Sequence, residues 1–308
     1  MTSLLRAELR RATSRRLVRF GVAATLVAIV VAGAITAVNS HRPTSAELAQ
    51  ANEVFRTNMQ QCLSGHYVRE KDLPPNTTFT EFCSKNVRPE LFVATHQFEL
   101  FGLPGILMGA SPLLILGGLL VGASLVGAEW HAGTMTTLLT WEPRRIRVLI
   151  AKALVAAIVV VVLAILLQVV LSFVLWLVAA TRGSTVETGG DWQRRVAGAI
   201  LRVGGAASVA SLIGLSIAML GRNTAAALGL GFAYLGVLEG LIRGLRPAWQ
   251  PWLLGDNVAV FVSGHATLLG LPPHDVTRTL EAAAAVAFGY AAVLLVLAGV
   301  GFRVRDVN

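Results

Sequence analysis

The sequence predicts an all-α polytopic membrane protein, and three observations support this fold class. Hydrophobic residues make up 55% of the 308 residues, and charged residues only 14%. Six apolar runs are each close to the roughly 20 residues that a helix needs to cross a bilayer. These runs are continuous rather than alternating, and Ala, Leu and Gly dominate them, which argues against a membrane β-barrel.

The six-helix transmembrane domain is predicted over residues 17–38 and 101–303. Its spans are Leu17–Val38, Phe101–Ala128, Val148–Ala180, Val196–Leu220, Thr224–Ile242 and Leu280–Phe302. An even number of spans places both termini on one side of the membrane. No small-residue cleavage site follows the first run, so we expect a retained signal anchor rather than a removed signal peptide.

The distribution of charge predicts the orientation. The net charge is +9. The side of the membrane that holds both termini carries thirteen basic and four acidic residues, so the whole excess of positive charge lies on that side. By the positive-inside rule, both termini are cytoplasmic, and we expect a multi-pass protein of the plasma membrane. A basic protein can also bind nucleic acid, but this placement of the charge argues for the bilayer instead.

Two segments outside the spans have a predicted structure near the membrane surface. Residues 1–16 favour a cytosolic interfacial helix with apolar and basic residues on separate faces, Leu5, Leu9 and Ala12 against Arg6 and Arg10. The alternative is that these arginines only set the topology, and the two interpretations are compatible. Residues 244–279 form an outer loop, whose apolar part Val258–Leu271 is too short to cross the membrane and is re-entrant or interfacial.

Residues 39–100 form a polar extracytoplasmic insertion. It contains both cysteines, Cys62 and Cys83, and an oxidising compartment favours a disulfide between them. The stretch Ser45–Met59 predicts a helix, with Thr44 or Ser45 as its cap.

Between the second and third spans, residues 129–147 form a polar, capped and basic cytosolic loop. Gly133 can end the preceding helix and Thr134 can cap the next one. Met135, Leu138 and Leu139 then share one face of a short amphipathic helix, which must stop near Pro143.

The order of residues in this loop resembles that of the ABC type-2 transporter permease family. The family reads Glu, Gly-Thr, a Leu pair, Pro, Arg and a Lys that opens the next span, and this chain offers Glu129, Gly133, Thr134, Leu138, Leu139, Pro143, Arg144 and Lys152. The resemblance extends over the whole chain, through the basic N-terminal helix, the six spans and the short turn Gly221-Arg222-Asn223. The insertion is larger than many members carry.

The resemblance implies that Thr134–Trp141 is a coupling helix held in a groove of a separate ATPase subunit. The residues implied in ATPase coupling are Glu129, Gly133, Thr134, Met135, Leu138, Leu139, Trp141, Pro143 and Arg144. Leu138 is then expected in an apolar contact with the ATPase. Glu129 either hydrogen-bonds the coupling helix or pairs with an ATPase residue, and the alternative is an exposed carboxylate at the membrane surface.

The implied assembly is two permease chains with two ATPase subunits, as a homodimer or a heterodimer, that exports an amphipathic or lipophilic substrate. The sequence has no Gly-x-x-x-x-Gly-Lys-[Ser/Thr] phosphate loop, so ATP and Mg²⁺ are expected on the partner and the chain itself is not expected to be an enzyme.

Two rival functions remain at this point. One is an ATP-independent carrier, and the other is a membrane anchor that presents residues 39–100. A carrier would be expected to show inverted repeats and midplane charges, which the sequence does not clearly show. No metal site is predicted, because His131 is placed on the opposite side of the membrane from His96 and Glu99. No convergent set of catalytic residues is predicted either.

Overall fold

The computed structural model describes residues 2–65, 78–87, 92, 97–186, 188–270 and 275–304. The chain divides into two compact units. The main unit comprises Met1–Val30, Phe101–Phe173 and Glu187–Asn308, and the insertion unit comprises Val31–Leu100 and Val174–Val186.

Within these ranges, six helical segments are long and apolar enough to cross a membrane, which confirms the predicted fold class. They are Arg16–Asn39, Leu100–His131, Arg145–Arg182, Gly190–Gly221, Thr224–Leu245 and Leu280–Val304. Each contains one predicted span, or nearly all of it, and most extend past it at both ends, because charged and polar residues continue a helix beyond the apolar run that sequence analysis detects.

In the described part of the chain, the elements follow one another as thirteen α-helices and one β-hairpin. The first seven helices are α1 (Thr2–Ser14), α2 (Arg16–Asn39), α3 (Ser45–Leu63), α4 (Phe79–Asn86), α5 (Leu103–Gly109), α6 (Ser111–His131) and α7 (Thr134–Trp141). The remaining six are α8 (Arg145–Arg182), α9 (Gly190–Gly221), α10 (Thr224–Ala233), α11 (Glu239–Leu245), α12 (Leu254–Ser263) and α13 (Leu280–Val304). A π-helical turn, Tyr234–Leu238, joins α10 to α11.

The centre of the main unit is the packing of α6 against α9. Glycines allow the two backbones to approach closely, since a methyl group at Gly118 would overlap the carbonyl of Ala207, and one at Gly122 would overlap the carbonyl of Ser211. Gly214 of α9 approaches Leu119 of α6 in the same way. Small residues at helix contacts are typical of bundles in lipid, where no hydrophobic effect drives helices together.

The outer loop folds as a helix followed by a hairpin. Helix α12 ends at Gly264, whose φ of 76° is left-handed, so the apolar run Val258–Leu271 is not a single helix. Strands β1 (Thr267–Leu269) and β2 (Val276–Arg278) then pair antiparallel, which the sequence did not predict. Helix α12 packs its apolar face on α9 and α13.

Buried polar contacts join α12 to the fifth span. Glu239 is 3% exposed, and its Oε1 accepts a hydrogen bond of 2.7 Å from the Gly255 amide. Arg243 lies 3.8 Å from Glu239 and 2.8 Å from Asp256. The Glu239 carboxylate therefore holds the N-terminal turn of α12, where the helix dipole favours negative charge.

The insertion unit contains the predicted disulfide. Cys62 at the end of α3 and Cys83 in α4 are bonded, and their Cα atoms are 5.9 Å apart. Helix α3 begins where predicted, at a capping box in which Thr44 and Glu47 exchange hydrogen bonds, and it continues to Leu63 rather than ending at Met59. The backbone amide and hydroxyl of Thr44 lower the pKa of Glu47.

We predict that replacing both cysteines by alanine will loosen α3 and α4. The bond closes a loop with a sequence separation of 21, for which the chain-entropy model gives about 3 kcal/mol. Amide hydrogen exchange in α3 of the full chain should therefore accelerate roughly 100-fold. Wild-type protein treated with a reductant is the matched control, and its exchange in α3 should accelerate by a similar factor. Unchanged exchange in both samples would show that the disulfide does not stabilise α3.

Candidate functional site

The short helix α7 lies between the second and third spans, within the bounds predicted for it. Gly133 ends the preceding segment with a left-handed φ of 65°, a conformation that residues with a Cβ rarely adopt. Gly133 is also the N-cap of α7, so Thr134 is the first residue of the helix and not its cap as predicted. The Thr134 hydroxyl lies 3.4 Å from the Glu129 carbonyl, to which it donates a hydrogen bond. Helix α7 is thus connected directly to the last turn of α6.

The apolar face of α7 packs against the chain itself. Met135 is fully buried, in a cluster that includes Ala12, Leu149 and Phe302. Leu138 and Leu139 are half-buried and pack against the same cluster. Met135 therefore has no surface left for a partner, whereas Leu138 and Leu139 keep part of theirs.

The opposite face of α7 is exposed and carries threonines and one tryptophan. Thr136 and Thr140 donate their hydroxyl hydrogens to carbonyls of the same helical segment, each at 2.7 Å. Trp141 is 85% exposed, and Pro143 and Arg144 beyond it are also exposed. An exposed indole next to hydroxyl groups is the kind of surface that protein interfaces favour, because Trp supplies a large contact area at low entropic cost.

A group of four charged side chains, three of them buried and one half-buried, meets at the same end of the bundle as α7. We call Glu8, Arg15, Glu129 and Lys152 the terminal ion cluster. Lys152 is 1% exposed, and its Nζ lies 2.8 Å from Glu8 Oε2 and 2.7 Å from Glu129 Oε2. Arg15 Nη2 lies 3.3 Å from the other oxygen of Glu129. The charges of these four side chains sum to zero, and the half-exposed Arg11 makes a further contact with the cluster, with its Nη1 3.3 Å from Glu8 Oε1.

Each member of the terminal ion cluster comes from a different part of the chain. Glu8 lies on α1, Arg15 in the link between α1 and α2, Glu129 in the last turn of α6, and Lys152 two turns into α8. The cluster therefore ties the N-terminal helix to the ends of two spans and to the start of α7.

Arg15 also binds the backbone of α6. Its guanidinium donates hydrogen bonds to the carbonyls of Ser124, at 2.6 Å, and Leu125, at 3.2 Å. Burial lowers the pKa of the Arg15 guanidinium, and the carboxylates of Glu129 and Glu8 oppose that shift. Arg15 thus fixes the entry of α2 against α6.

The buried face of α1 differs from the predicted one. Glu8 and Ala12 are buried and Leu5 packs on the core, whereas Leu9, which was predicted to share the apolar face, is 44% exposed. Glu8 takes the inner position because Lys152 offers its carboxylate a buried counter-charge. Helix α1 is therefore packed on the bundle rather than only lying on a membrane surface.

The same end of the bundle includes the turn between the fourth and fifth spans. Arg222, in the left-handed conformation with a φ of 52°, places its guanidinium 4.7 Å from the centre of the Trp130 ring. Trp130 in turn meets Phe302 of the last span edge to face. This stacking joins α6, the turn and α13.

Sequence analysis identified Glu129 and Lys152 as parts of one motif but did not pair them. It missed Glu8 and Arg15 as their partners. One signal was available, since Glu8 is the only acidic residue among the first sixteen, in a helix that is otherwise basic.

The six spans define a polytopic membrane protein. At one end of the bundle, the short helix α7 connects to Glu129 of the terminal ion cluster and exposes one face. The family model of the ABC-2 family transporter protein matches residues 3–280, and the chain belongs to this family. It is thus a permease subunit of an ABC transporter, embedded in the membrane and acting with an ABC ATPase. Searches of curated proteins and of solved structures found no match to the chain.

We predict that Lys152→Met will destabilise the main unit by about 3 kcal/mol, because it removes the cation that the two buried carboxylates share. Among the residues that the structure describes, Glu129 then keeps only its contact with Arg15, and Glu8 only its contact with Arg11, each at 3.3 Å. The measurement is the apparent free energy of unfolding of the purified chain in mixed detergent. Arg147→Met is the matched control, since Arg147 pairs with Glu142 at 3.5 Å and is 37% exposed, and it should cost about 1 kcal/mol or less. Adding Glu8→Gln to Lys152→Met should recover part of the lost stability, because it removes one of the two buried negative charges. Equal stability of the Lys152→Met and Arg147→Met variants would contradict the prediction.

Proposed function

We propose that this permease couples ATP hydrolysis to the export of an amphipathic or lipophilic substrate, and that α7 is its coupling helix. The observation that carries the proposal is the two-faced burial of α7. Met135 anchors one face in the core, while the other face presents Trp141 at 85% exposure. A helix that is fixed on one side and free on the other can transmit a push from a partner to the spans.

We propose that the terminal ion cluster makes the connection between α7 and the spans rigid. Lys152 sits at the start of α8 and Glu129 at the end of α6, on either side of α7, and their charges are 2.7 Å apart. A displacement of α7 would therefore carry α6 and α8 together. Glu8 and Arg15 extend the same connection to α1 and α2, so the first three spans would move as one body.

The proposed partners are two copies of the ABC ATPase and a second permease chain. ATP and Mg²⁺ would be bound by the ATPase. A homodimer is the simplest arrangement, and a heterodimer with a similar permease fits equally well. The arginines on the terminal side support cytoplasmic termini and insertion in the plasma membrane, and this orientation would put α7 on the side where ATP is available.

The substrate class is proposed from the chemistry of the spans. Their buried residues are largely Ala, Val and Leu, with glycines among them. Such surfaces offer few hydrogen bonds and select for apolar groups. The direction of transport is taken from the family resemblance.

The experiment that tests the proposal is purification of the tagged chain from its native membrane in mild detergent, with identification and stoichiometry of the proteins that co-purify. A phosphate-loop ATPase in about one-to-one ratio is the expected result. A chain that comes out alone, and stays alone after crosslinking in the membrane, would refute the proposal.

We predict that Trp141→Ala will weaken the binding of the ATPase. Truncating a central aromatic anchor typically costs about 2 kcal/mol or more, which corresponds to roughly 30-fold in affinity. The readout is the amount of ATPase that co-purifies and the substrate stimulation of its ATP hydrolysis.

The matched control is Trp249→Ala. Trp249 is 63% exposed and lies in the outer loop, so the same substitution there should leave the ATPase bound. Because Leu138 packs on the chain's own core, Leu138→Asp would disturb folding as well and is a poorer test. Normal coupling in the Trp141 variant would rule out this face of α7 as the contact.

A further inference from the structure

The fifth span is interrupted by one wide turn. The π-helical turn Tyr234–Leu238 separates α10 from α11, and the Glu239 amide donates its hydrogen bond to the Tyr234 carbonyl, five residues back instead of four. Such a turn holds one residue more than an α-helical turn, and turns of this kind are rare but frequent at functional sites. The turn therefore changes the register of every residue that follows it in the span.

This register decides which residues face α12. In a continuous α-helix, Tyr234 and Glu239 would lie about 140° apart around the axis, because each residue turns the chain by about 100°. With the π-turn between them, both contact the first turn of α12. The Leu254 amide donates a hydrogen bond to the Tyr234 hydroxyl at 3.3 Å, and the Gly255 amide donates one to Glu239 Oε1 at 2.7 Å. The π-turn is thus what allows both side chains to bind α12 together.

Arg243 and Asp256 add a third contact beside these two. Arg243 follows Glu239 by one α-helical turn, and its Nη2 lies 2.8 Å from Asp256 Oδ1 and 3.8 Å from Glu239 Oε2. A methyl group at Gly255 would overlap the Glu239 carboxylate, so this close approach requires glycine. Three residues of the fifth span therefore hold three consecutive residues of α12. We call this set the outer clasp: Tyr234, Glu239 and Arg243 with Leu254, Gly255 and Asp256.

In the fifth span, all of which the structure describes, little besides the outer clasp fixes the wide turn. No side chain of Tyr234–Leu238 is buried, and Glu239 is the one buried residue of α11. At Gly236, in the middle of the turn, nothing lies within 4 Å of where a Cβ would be. Rotation of α11 about its own axis would therefore break the clasp and disturb little other packing.

The other end of α12 is held by a different span. Arg202 of α9 donates a hydrogen bond from its Nε to the Val262 carbonyl at 3.2 Å, and Val262 packs in one cluster with Val203. A cation is favourable at this end, because the helix dipole is negative at the C-terminus. If the outer clasp opens, the N-terminal end of α12 can move away while its C-terminal end stays on α9.

We propose that the π-turn is a register switch that latches and releases α12. In the observed form, the outer clasp is closed. Conversion of the turn to an α-helical one rotates α11 by about 100°, turns Glu239 and Arg243 away from α12 and opens the clasp. The switch does not depend on the proposed function, but its coupling to ATP hydrolysis does, with the release of α12 as a step in opening the outer side.

Deletion of Gly236 tests the switch in the isolated chain. It shortens the π-turn to an α-helical turn, in which Tyr234 and Glu239 are four residues apart and lie on the same face. The variant therefore keeps the clasp but loses the released form. The measurement is amide hydrogen exchange of Leu254 and Gly255 in the full chain, which in wild type occurs through the released form. We expect this exchange to be roughly fivefold slower in the variant than in wild type.

Deletion of Gly244 is the matched control. Like Gly236, it has nothing within 4 Å of its Cβ position. It follows the clasp residues, so its deletion shortens the span equally and leaves the π-turn and the spacing of Tyr234, Glu239 and Arg243 unchanged. Exchange at the two amides should stay within about twofold of wild type.

Three results would overturn the proposal. Equal slowing in both deletion variants would assign the effect to the shorter span. Exchange in the Gly236 deletion that is as fast as in wild type would exclude the switch, and so would failure of that variant to fold, because an α-helical turn with the same alignment should hold α12. Tyr234→Phe removes the acceptor of the Leu254 amide, whose exchange should become roughly fivefold faster. An unchanged rate there would show that the clasp does not hold α12.

ATP hydrolysis tests the coupling in the complex with the ATPase. With ATP and Mg²⁺, the amides of Leu254 and Gly255 in wild type should exchange roughly fivefold faster than without nucleotide, and those of the Gly236 deletion should not respond. No response in wild type with an active ATPase bound would overturn the coupling. A missing ATPase would instead refute the proposed function, and the deletions in the isolated chain would still decide the switch.

Discussion

The buried ammonium group of Lys152 is the constraint on which the terminal end of this protein depends. A charge that is 1% exposed can be tolerated only if opposite charges lie beside it, and here the Glu8 and Glu129 carboxylates are within 2.8 Å. Because those carboxylates come from α1 and α6, the lysine on α8 fixes three helices at one point. Arg15 then pairs with the other oxygen of Glu129 and binds the backbone of α6.

The position of helix α7 depends on this arrangement. It is only eight residues long, and so short a helix is not stable by itself in water. Its stability comes from Met135 in the core and from the flanking helices that the ion cluster holds. The exposed Trp141 face is therefore presented on a rigid base, as the proposed contact with an ATPase requires. The arrangement agrees with membership of the ABC-2 transporter family, whose permeases act with a separate ATPase.

Packing within the main unit divides the spans into two kinds. Helices α6 and α9 meet backbone to backbone at Gly118, Gly122 and Gly214, and form the fixed centre. Helices α2 and α10 bury little of their surface, and between them and the centre lies an apolar crevice. Glycine thus has opposite uses in one membrane domain, since at Gly122 it permits close contact and at Gly117 it leaves a space.

The sequence by itself determined what depends on local signals: the six spans from hydropathy, the bounds of α7 from Gly133, Thr134 and Pro143, and the start of α3 from its capping residue. It also identified Met135, Leu138 and Leu139 as an apolar face. The tertiary structure decided what each face meets, which is why Met135 lies in the chain's own core and Glu8 replaces Leu9 on the inner side of α1. Periodicity predicts which residues share a side of a helix, but it does not predict what that side contacts. The partner of Glu8, for example, is Lys152, more than a hundred positions away. Only the folded chain brings such residues together.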